Sequence, residues 1–225
     1  VYPMVAERDT TVNVIVTDIC GNSSVKEVEI TIPAKVTISA MATPAVICNG
    51  GTSQLSATAA NVVSTAVYAW TPATELSSAT IANPTVTLTA TGAPETVTYT
   101  VQVTDANGCT ATDTTFVTVN PEVVINALAD TVINSGTVVP AKFFTTLLTG
   151  GVMTYSWTRT NSDVVTGMDA TGTGNVPGAT LYNNTNTAKT TTITVTPTFT
   201  ANGISCVGAT VSYTITVNPT IVMDT

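Results

Sequence analysis

The sequence predicts an all-β chain of tandem β-sandwiches, and three observations carry that prediction. Residues 96–121, TVTYTVQVTDANGCTATDTTFVTVNP, alternate apolar and polar side chains around an Asp-Ala-Asn-Gly turn, the pattern of a β-hairpin with one buried face. The same hairpin recurs at 10–33 and 191–219, and each copy closes on a proline, at 33, 121 and 219. That spacing, on the order of 90–100 residues, suits a whole sandwich and exceeds a solenoid repeat. A Tyr-x-Trp triplet also occurs in two of the units, as Tyr68-Ala69-Trp70 and Tyr155-Ser156-Trp157.

Residues 1–33 hold two strands, one through Val12, Val14 and Val16, the next through Val28, Ile30 and Ile32. They read as the C-terminal part of a truncated sandwich whose apolar face needs a cover. Residues 34–121 read as a complete sandwich. Its strands are expected at 35–41, 54–59, 67–70 and 85–89, with a turn at 48–51 and the hairpin to finish. Trp70 sits at an inward position of its strand and reads as the anchor between the sheets; the alternative is an exposed Trp that stacks on sugar. Residues 122–219 repeat the plan, starting with a strand at 123–125. The extra length falls at 161–187, rich in Gly, Asn, Asp and Thr, which reads as loop plus one irregular strand. It is either a solvated decoration or a binding loop. Residues 220–225 look like the start of a following unit, so the chain is expected to begin and end within a longer array.

Composition narrows the function. Charged residues are 9% of the 225, against about 25% in an average protein, so Thr, Ser, Asn and Gly must carry the surface. Six Lys and Arg against fourteen Asp and Glu leave a net charge of −8. With no basic patch to displace counterions, nucleic acid is not an expected partner, nor is an anionic membrane surface. No apolar run reaches the roughly 18 residues of a membrane span, and no signal peptide is present. There is no histidine, which removes Ser/His and Cys/His nucleophilic pairs and the commonest zinc ligand.

The residues that might carry chemistry are few. Cys48 and Cys109 fall in one unit and are expected to form a disulfide, the default in an exported protein. Cys20 and Cys206 are expected to be free, since neither has a partner in its own unit and Asn134 stands near where a match for Cys48 would be. Asp18 and Asp105 occupy the same place in two hairpin turns. They read as side chains that bond to the local backbone, with calcium between domains as the alternative. No pair of carboxylates marks a glycosidase, and no Gly-rich stretch has the strand-to-helix setting of a phosphate loop. No catalytic, cofactor-binding or metal-binding residue is expected.

Residues 68–73, YAWTPA, with Asn83-Pro84-Thr85-Val86 and TVQVTDANGC at 100–109, resemble the PKD-type immunoglobulin-like repeats of Bacteroidota surface adhesins. Residues 122–219 are similar to a related PKD-like repeat through TYSW at 154–157, GTGN at 172–175 and ITVTP at 193–197. Residues 1–33 resemble the end of a HYR-type repeat through VTDICGN at 16–22. The WDFGDG signature of archetypal PKD domains is absent after Trp70. The resemblance implies tandem immunoglobulin-like sandwiches, type IX secretion and display on the cell surface, as in flavobacterial gliding adhesins. It also implies O-glycans on Asp-Thr motifs, which makes Thr10, Thr114 and Thr131 candidate sites.

The resulting expectation is a non-enzymatic segment of a long adhesin filament that needs no cofactor. It would meet extracellular surfaces or polysaccharide, and neighbouring repeats of its own chain. The alternative is a carbohydrate-binding accessory module of a secreted glycoside hydrolase. A third reading is a structural filament in which a neighbour's strand completes residues 1–33.

Overall fold

The structure, a computed structural model, describes residues 9–220. Those residues form β-strands, turns and loops with no α-helix, as the alternating pattern predicts. Strands β1 (Thr10–Thr17) and β2 (Ser23–Ile30) form a two-stranded antiparallel sheet of their own. Val14, Ile15, Val16 and Val25 all lie exposed on it.

The next seven strands build the first sandwich. They are β3 (Thr37–Thr43), β4 (Val46–Cys48), β5 (Thr52–Ala60), β6 (Val67–Thr71), β7 (Thr85–Thr87), β8 (Glu95–Thr104) and β9 (Thr110–Asn120). One sheet has the order β3-β5-β7, the other β4-β9-β8-β6. The chain passes from the first sheet to the second at Thr43-Pro44, so that β4 runs parallel to β9 while its neighbours pair antiparallel. Inward residues alternate with exposed Thr and Ser, as a two-sheet core requires. Leu55, Val86 and Leu88 of one layer meet Trp70, Tyr99, Val101, Val117 and Val119 of the other. Trp70 is 2% exposed, and its indole N–H donates to the Ile81 carbonyl at 3.0 Å.

The second sandwich uses β10 (Thr131–Asn134), β11 (Thr137–Val139), β12 (Val152–Arg159), β13 (Val165–Thr166), β14 (Thr171–Thr173), β15 (Ala179–Asn183), β16 (Lys189–Ala201), β17 (Ile204–Val207) and β18 (Val211–Asn218). The larger sheet runs β10-β18-β16-β12-β14, with β17 also on β16; the smaller runs β11-β15-β13. Trp157 is 3% exposed, and Gly172 lies flat against its ring: a Cβ there would come within 2.2 Å of Cζ2.

Two expectations for this unit are corrected. No strand forms at 123–125; Val123 is drawn instead into an apolar cluster with Phe199, Ala201 and Cys206. The segment 161–187 is largely loop, as expected, but supplies three short strands, β13, β14 and β15, to the two sheets in place of one irregular strand. The reason is Arg159, whose buried guanidinium donates to the carbonyls of Val165, Met168 and Asp169. One cation thus satisfies several backbone acceptors of an irregular segment and holds it against the core.

The two units share several contacts at their C-terminal ends. Cys48 is the register partner of Asn120 on β4 and β9; Asn134 is the partner of Asn218 on β10 and β18, again in parallel. Gly50 N–H donates to Leu88 O in one unit, and Gly136 N–H to Leu181 O in the other. The Asn49 side chain accepts from Ala90 N–H where the Ser135 hydroxyl accepts from Asn183 N–H.

Candidate functional site

The most elaborated polar and covalent contacts of the chain lie where the two sandwiches meet. Asn120 ends β9, and the alternation that puts Val117 and Val119 in the core turns its side chain to the other face of the strand. There it meets the β16–β17 hairpin of the second. Asn202 (φ 52°) and Gly203 (φ 77°) both take left-handed backbone, the two-residue type I′ turn that Asn-Gly favours. Ala201 and Ile204 flank the turn as register partners.

Asn120 is fully buried against this turn. Its Nδ2 donates to Ala201 O at 3.0 Å and to Ile204 O at 3.4 Å, and its Oδ1 accepts from Asn202 Nδ2 at 3.3 Å. A side-chain amide buried this way needs both its donors and its acceptor met, and the turn provides for both. Around it, Val123, Phe199, Ala201 and Cys206 form an apolar cluster with Cys48, Leu148 and Met153 at its edge. On the other side of the joint, Thr149 N–H donates to Gly92 O at 2.8 Å. A cleft of about 430 Å³ opens there between Thr91, Gly92, Val124 and Leu148.

A disulfide crosses the same joint. Cys48 is bonded to Cys206, S–S 1.95 Å, with Cα atoms 5.6 Å apart. The expected Cys48–Cys109 bond is therefore wrong, and so is the expectation that Cys206 is free. Cys109 is exposed and unpaired, as is Cys20. The reason is the length of β9. Cys109 precedes its first residue, Thr110, and Cys48 stands opposite its last, Asn120. Eleven residues of extended strand hold the two thiols roughly 35 Å apart at about 3.3 Å per residue. Cys206 reaches Cys48 because the hairpin that carries it faces back onto the preceding unit.

The two acidic turns bond to their own backbone, as read from the sequence. Asp18 Oδ1 accepts from the N–H groups of Cys20 (2.9 Å) and Asn22 (2.8 Å), and Oδ2 accepts from Asn22 Nδ2 (2.9 Å). Asp105 Oδ1 accepts from the N–H groups of Asn107 and Cys109, both at 2.9 Å, and Oδ2 from Val63 N–H at 3.3 Å. Bonds to the charged form favour it. Asn22 holds the Asp18 carboxyl below its ordinary value, and the Cys109 N–H does so for Asp105. Among the described residues no group of three or more His, Cys, Asp and Glu is placed to hold a metal ion.

Neither tryptophan is available to a sugar. Among the described residues the large exposed aromatics, Phe116, Phe143 and Tyr182, lie on separate segments of the chain. A hydroxyl-lined cleft of about 680 Å³ runs between Thr154, Tyr155, Thr173, Asn175 and Thr198. Of the candidate glycan sites, Thr10 and Thr114 are exposed and Thr131 is half-buried. The aspartate before each is engaged: Asp9 accepts from Ile32 N–H, Asp113 from Ala40 N–H and Asp130 from Thr214 N–H, each at 2.7 Å.

Asn120, Arg159 and the Cys206 pairing were missed in the sequence. The TVNP motif at 118–121 and 216–219 marks Asn120 as a repeated position, but nothing in its spacing says that the side chain faces the next unit.

Residues 131–221, which span most of the second sandwich, match the family model of the PKD-like domain. No curated protein sequence matches the chain. Among solved structures, the chain is similar to the protocadherin GammaB4 extracellular domain, at 13% identity over 94% of this chain and 38% of that one, with a TM-score of 0.34. It is similar to mouse cadherin-23 EC22-24 at 12% identity, over 94% and 74% of the two chains, with a TM-score of 0.35. It is also similar to the fibronectin(III)-like modules of Clostridium thermocellum CbhA at 14% identity, over 80% and 95%, with a TM-score of 0.29. The chain spans between 38% and 58% of the length of three protocadherin gamma structures that it matches.

Proposed function

We propose that this chain is a non-enzymatic, tension-bearing segment of an extracellular adhesion filament, in which residues 34–121 and 122–219 are consecutive repeat units. The single observation that carries this reading is the joint. A flexible tether between independent binding modules needs no buried contacts, whereas here a fully buried Asn120, an apolar cluster and a disulfide fix one unit on the next. The low charge, the hydroxyl-rich surface and the PKD-like domain support an exported repeat protein. Display on a bacterial surface, type IX secretion and gliding belong to the same proposal through the resemblance to Bacteroidota adhesins. The carbohydrate-module alternative loses support because both tryptophans are core residues.

The Cys48–Cys206 bond gives this proposal a mechanical signature. Tension applied at the two ends enters through Cys48, crosses the sulfur bridge and leaves through Cys206. The stretch between them, a sequence separation of 158 residues, carries none of it. Single-molecule pulling of the oxidised chain should therefore extend only the segments outside the bridge. Reduction should release roughly 500 Å of additional contour, at about 3.4 Å per residue. Full extension without reduction would overturn the reading.

A further inference from the structure

We propose that the Asn134–Asn218 end of the second sandwich is a socket for the Asn-Gly hairpin turn of a further sandwich unit joined after Thr220, and that this joint, unlike the one before it, closes without a covalent bond. The inference rests on the tandem reading above and adds to it the partner, its contact element and the kind of joint.

The first joint supplies the template. Asn120 takes two turn carbonyls with Nδ2 and one side-chain amide with Oδ1. The end of the second unit shares the strand register and the closing sequence of the first, with Asn134 in the place of Cys48. Both ends read Thr-Val-Asn-Pro, at 118–121 and 216–219. In both, a threonine pair crosses the sheet two residues before the asparagine, Thr96 with Thr118 at 2.8 Å and Thr190 with Thr216 at 3.0 Å. The register is the same, Cys48 opposite Asn120 and Asn134 opposite Asn218. Asn120 is filled by its partner, whereas Asn218 is half-exposed, and among the described residues its Nδ2 meets only Asn134 Oδ1, at 3.1 Å. A recess of about 510 Å³ lies beside it, lined by Asn134, Ser135, Asn218, Pro219 and Thr220.

The occupant follows from what Asn120 holds. It is a type I′ turn with left-handed Asn and Gly, whose flanking carbonyls point at the amide. The hairpin turns at 105–109 and 18–22 are built differently. In each, an aspartate folds the loop onto itself and takes up local N–H groups. The socket therefore selects a unit with a tight Asn-Gly turn like residues 201–204.

At the first joint Cys48 stands where the turn-borne Cys206 can reach it. At the second, Asn134 occupies the position of Cys48, so a cysteine on the incoming hairpin finds an amide in place of a thiol. The two joints differ in kind: one is locked by oxidation and the other opens and closes.

The test extends the chain at Thr220 with a second copy of its own residues 123–220, so that Thr220 takes the place of Glu122, and introduces Asn134→Cys in the first copy. With oxidised glutathione as electron acceptor, two thiols lose two protons and two electrons, and glutathione leaves as two thiols. If the appended hairpin docks, the introduced thiol bonds to Cys206 of the appended copy, and peptide mapping finds that bond in the native protein but not in urea. A folded appended copy, shown by its own buried Trp157 fluorescence, with Cys206 still free overturns the proposal. If the appended copy does not fold, a head-to-tail cyclic peptide of residues 199–206 with Cys206→Ser is titrated into the unmodified chain. Shifts of the Asn218 side-chain NH2 resonances support docking, and unchanged resonances at millimolar peptide overturn it. Failure of the pulling signature sinks the tension-bearing reading, whereas an unpaired introduced thiol with an intact Cys48–Cys206 bond sinks only the socket.

Discussion

Cys48 and Asn120 stand opposite each other on the parallel strands β4 and β9, and each carries half of the joint to the second sandwich. Cys48 makes the covalent half through Cys206, and Asn120 the polar half through Ala201, Asn202 and Ile204. One strand pair thus presents both to the same hairpin.

This arrangement predicts an asymmetry between two equivalent asparagines. Asn120→Ala removes a fully buried side-chain amide together with its bonds to Ala201 O, Ile204 O and Asn202 Nδ2, and should cost on the order of 1–3 kcal/mol. Asn218→Ala removes a contact at a half-exposed site and should cost less than about 0.5 kcal/mol. Urea denaturation of the two variants, both in a Cys48→Ser, Cys206→Ser background, compares them directly. Equal losses would show that Asn120 does not hold the joint.

Gly172→Ala should destabilise the second sandwich by about 2–3 kcal/mol. Its new methyl would meet the Trp157 ring at 2.2 Å, and a packed indole has no room to yield. The change should appear in the Trp157 fluorescence transition and leave Trp70 unaffected, which Trp70→Phe and Trp157→Phe versions resolve.

Acid should weaken the fold through four aspartates. Asn22 lowers the Asp18 carboxyl, and the backbone N–H groups of Cys109, Ala40 and Thr214 lower those of Asp105, Asp113 and Asp130. A carboxyl depressed only in the folded chain supports folding fully above its unfolded value of about 3.9, and that support is lost as pH falls through the lowered values. Stability measured by denaturant should be level from about pH 7 to 5 in this respect and drop below about pH 4. Asp113→Ala should lower the plateau and flatten the acid limb; an unchanged acid limb would remove Asp113 from the account.

Tyr99→Phe and Tyr213→Phe should be neutral or stabilising by up to about 1 kcal/mol. Both hydroxyls are buried and have no hydrogen-bond partner among the described residues, and burial pushes both phenols up to about 12, with Glu75 adding to the effect at Tyr99. Removing an unmet polar atom takes away its desolvation cost while the ring stays in place. Thermal melts should rise or hold; a fall of several degrees would point to a partner for the hydroxyl.

The candidate glycan positions separate by exposure. Native protein should carry added mass at Thr10 and Thr114 before the half-buried Thr131, as read by intact-mass and peptide mass spectrometry. An unmodified mass ends the proposal.

The sequence made local order legible and left contact between units obscure. Period-two alternation placed β8 and β9 nearly to the residue, because every second side chain has to enter one core. The Tyr-x-Trp triplets marked both anchors for the same reason. Cys48 was assigned to Cys109 because both lie in one unit, but which end of a strand a residue occupies decides reach, and a long strand separates the pair. Asn120 looks like an ordinary strand terminator until the next hairpin is in place. Arg159 reads as one more charge in a polar stretch, and only the fold turns several distant carbonyls toward it.

The sulfur bridge also bears on proteases, which any chain outside a cell encounters. A single cut anywhere from residue 49 to residue 205 opens a loop and divides nothing, since the segments before Cys48 and after Cys206 remain covalently joined. Exposed turns of both sandwiches, at 106–109 and 202–203 among them, fall inside that interval, where nicking is easiest. A nicked chain would run as one species until a reductant is added, held together by one pair of sulfurs.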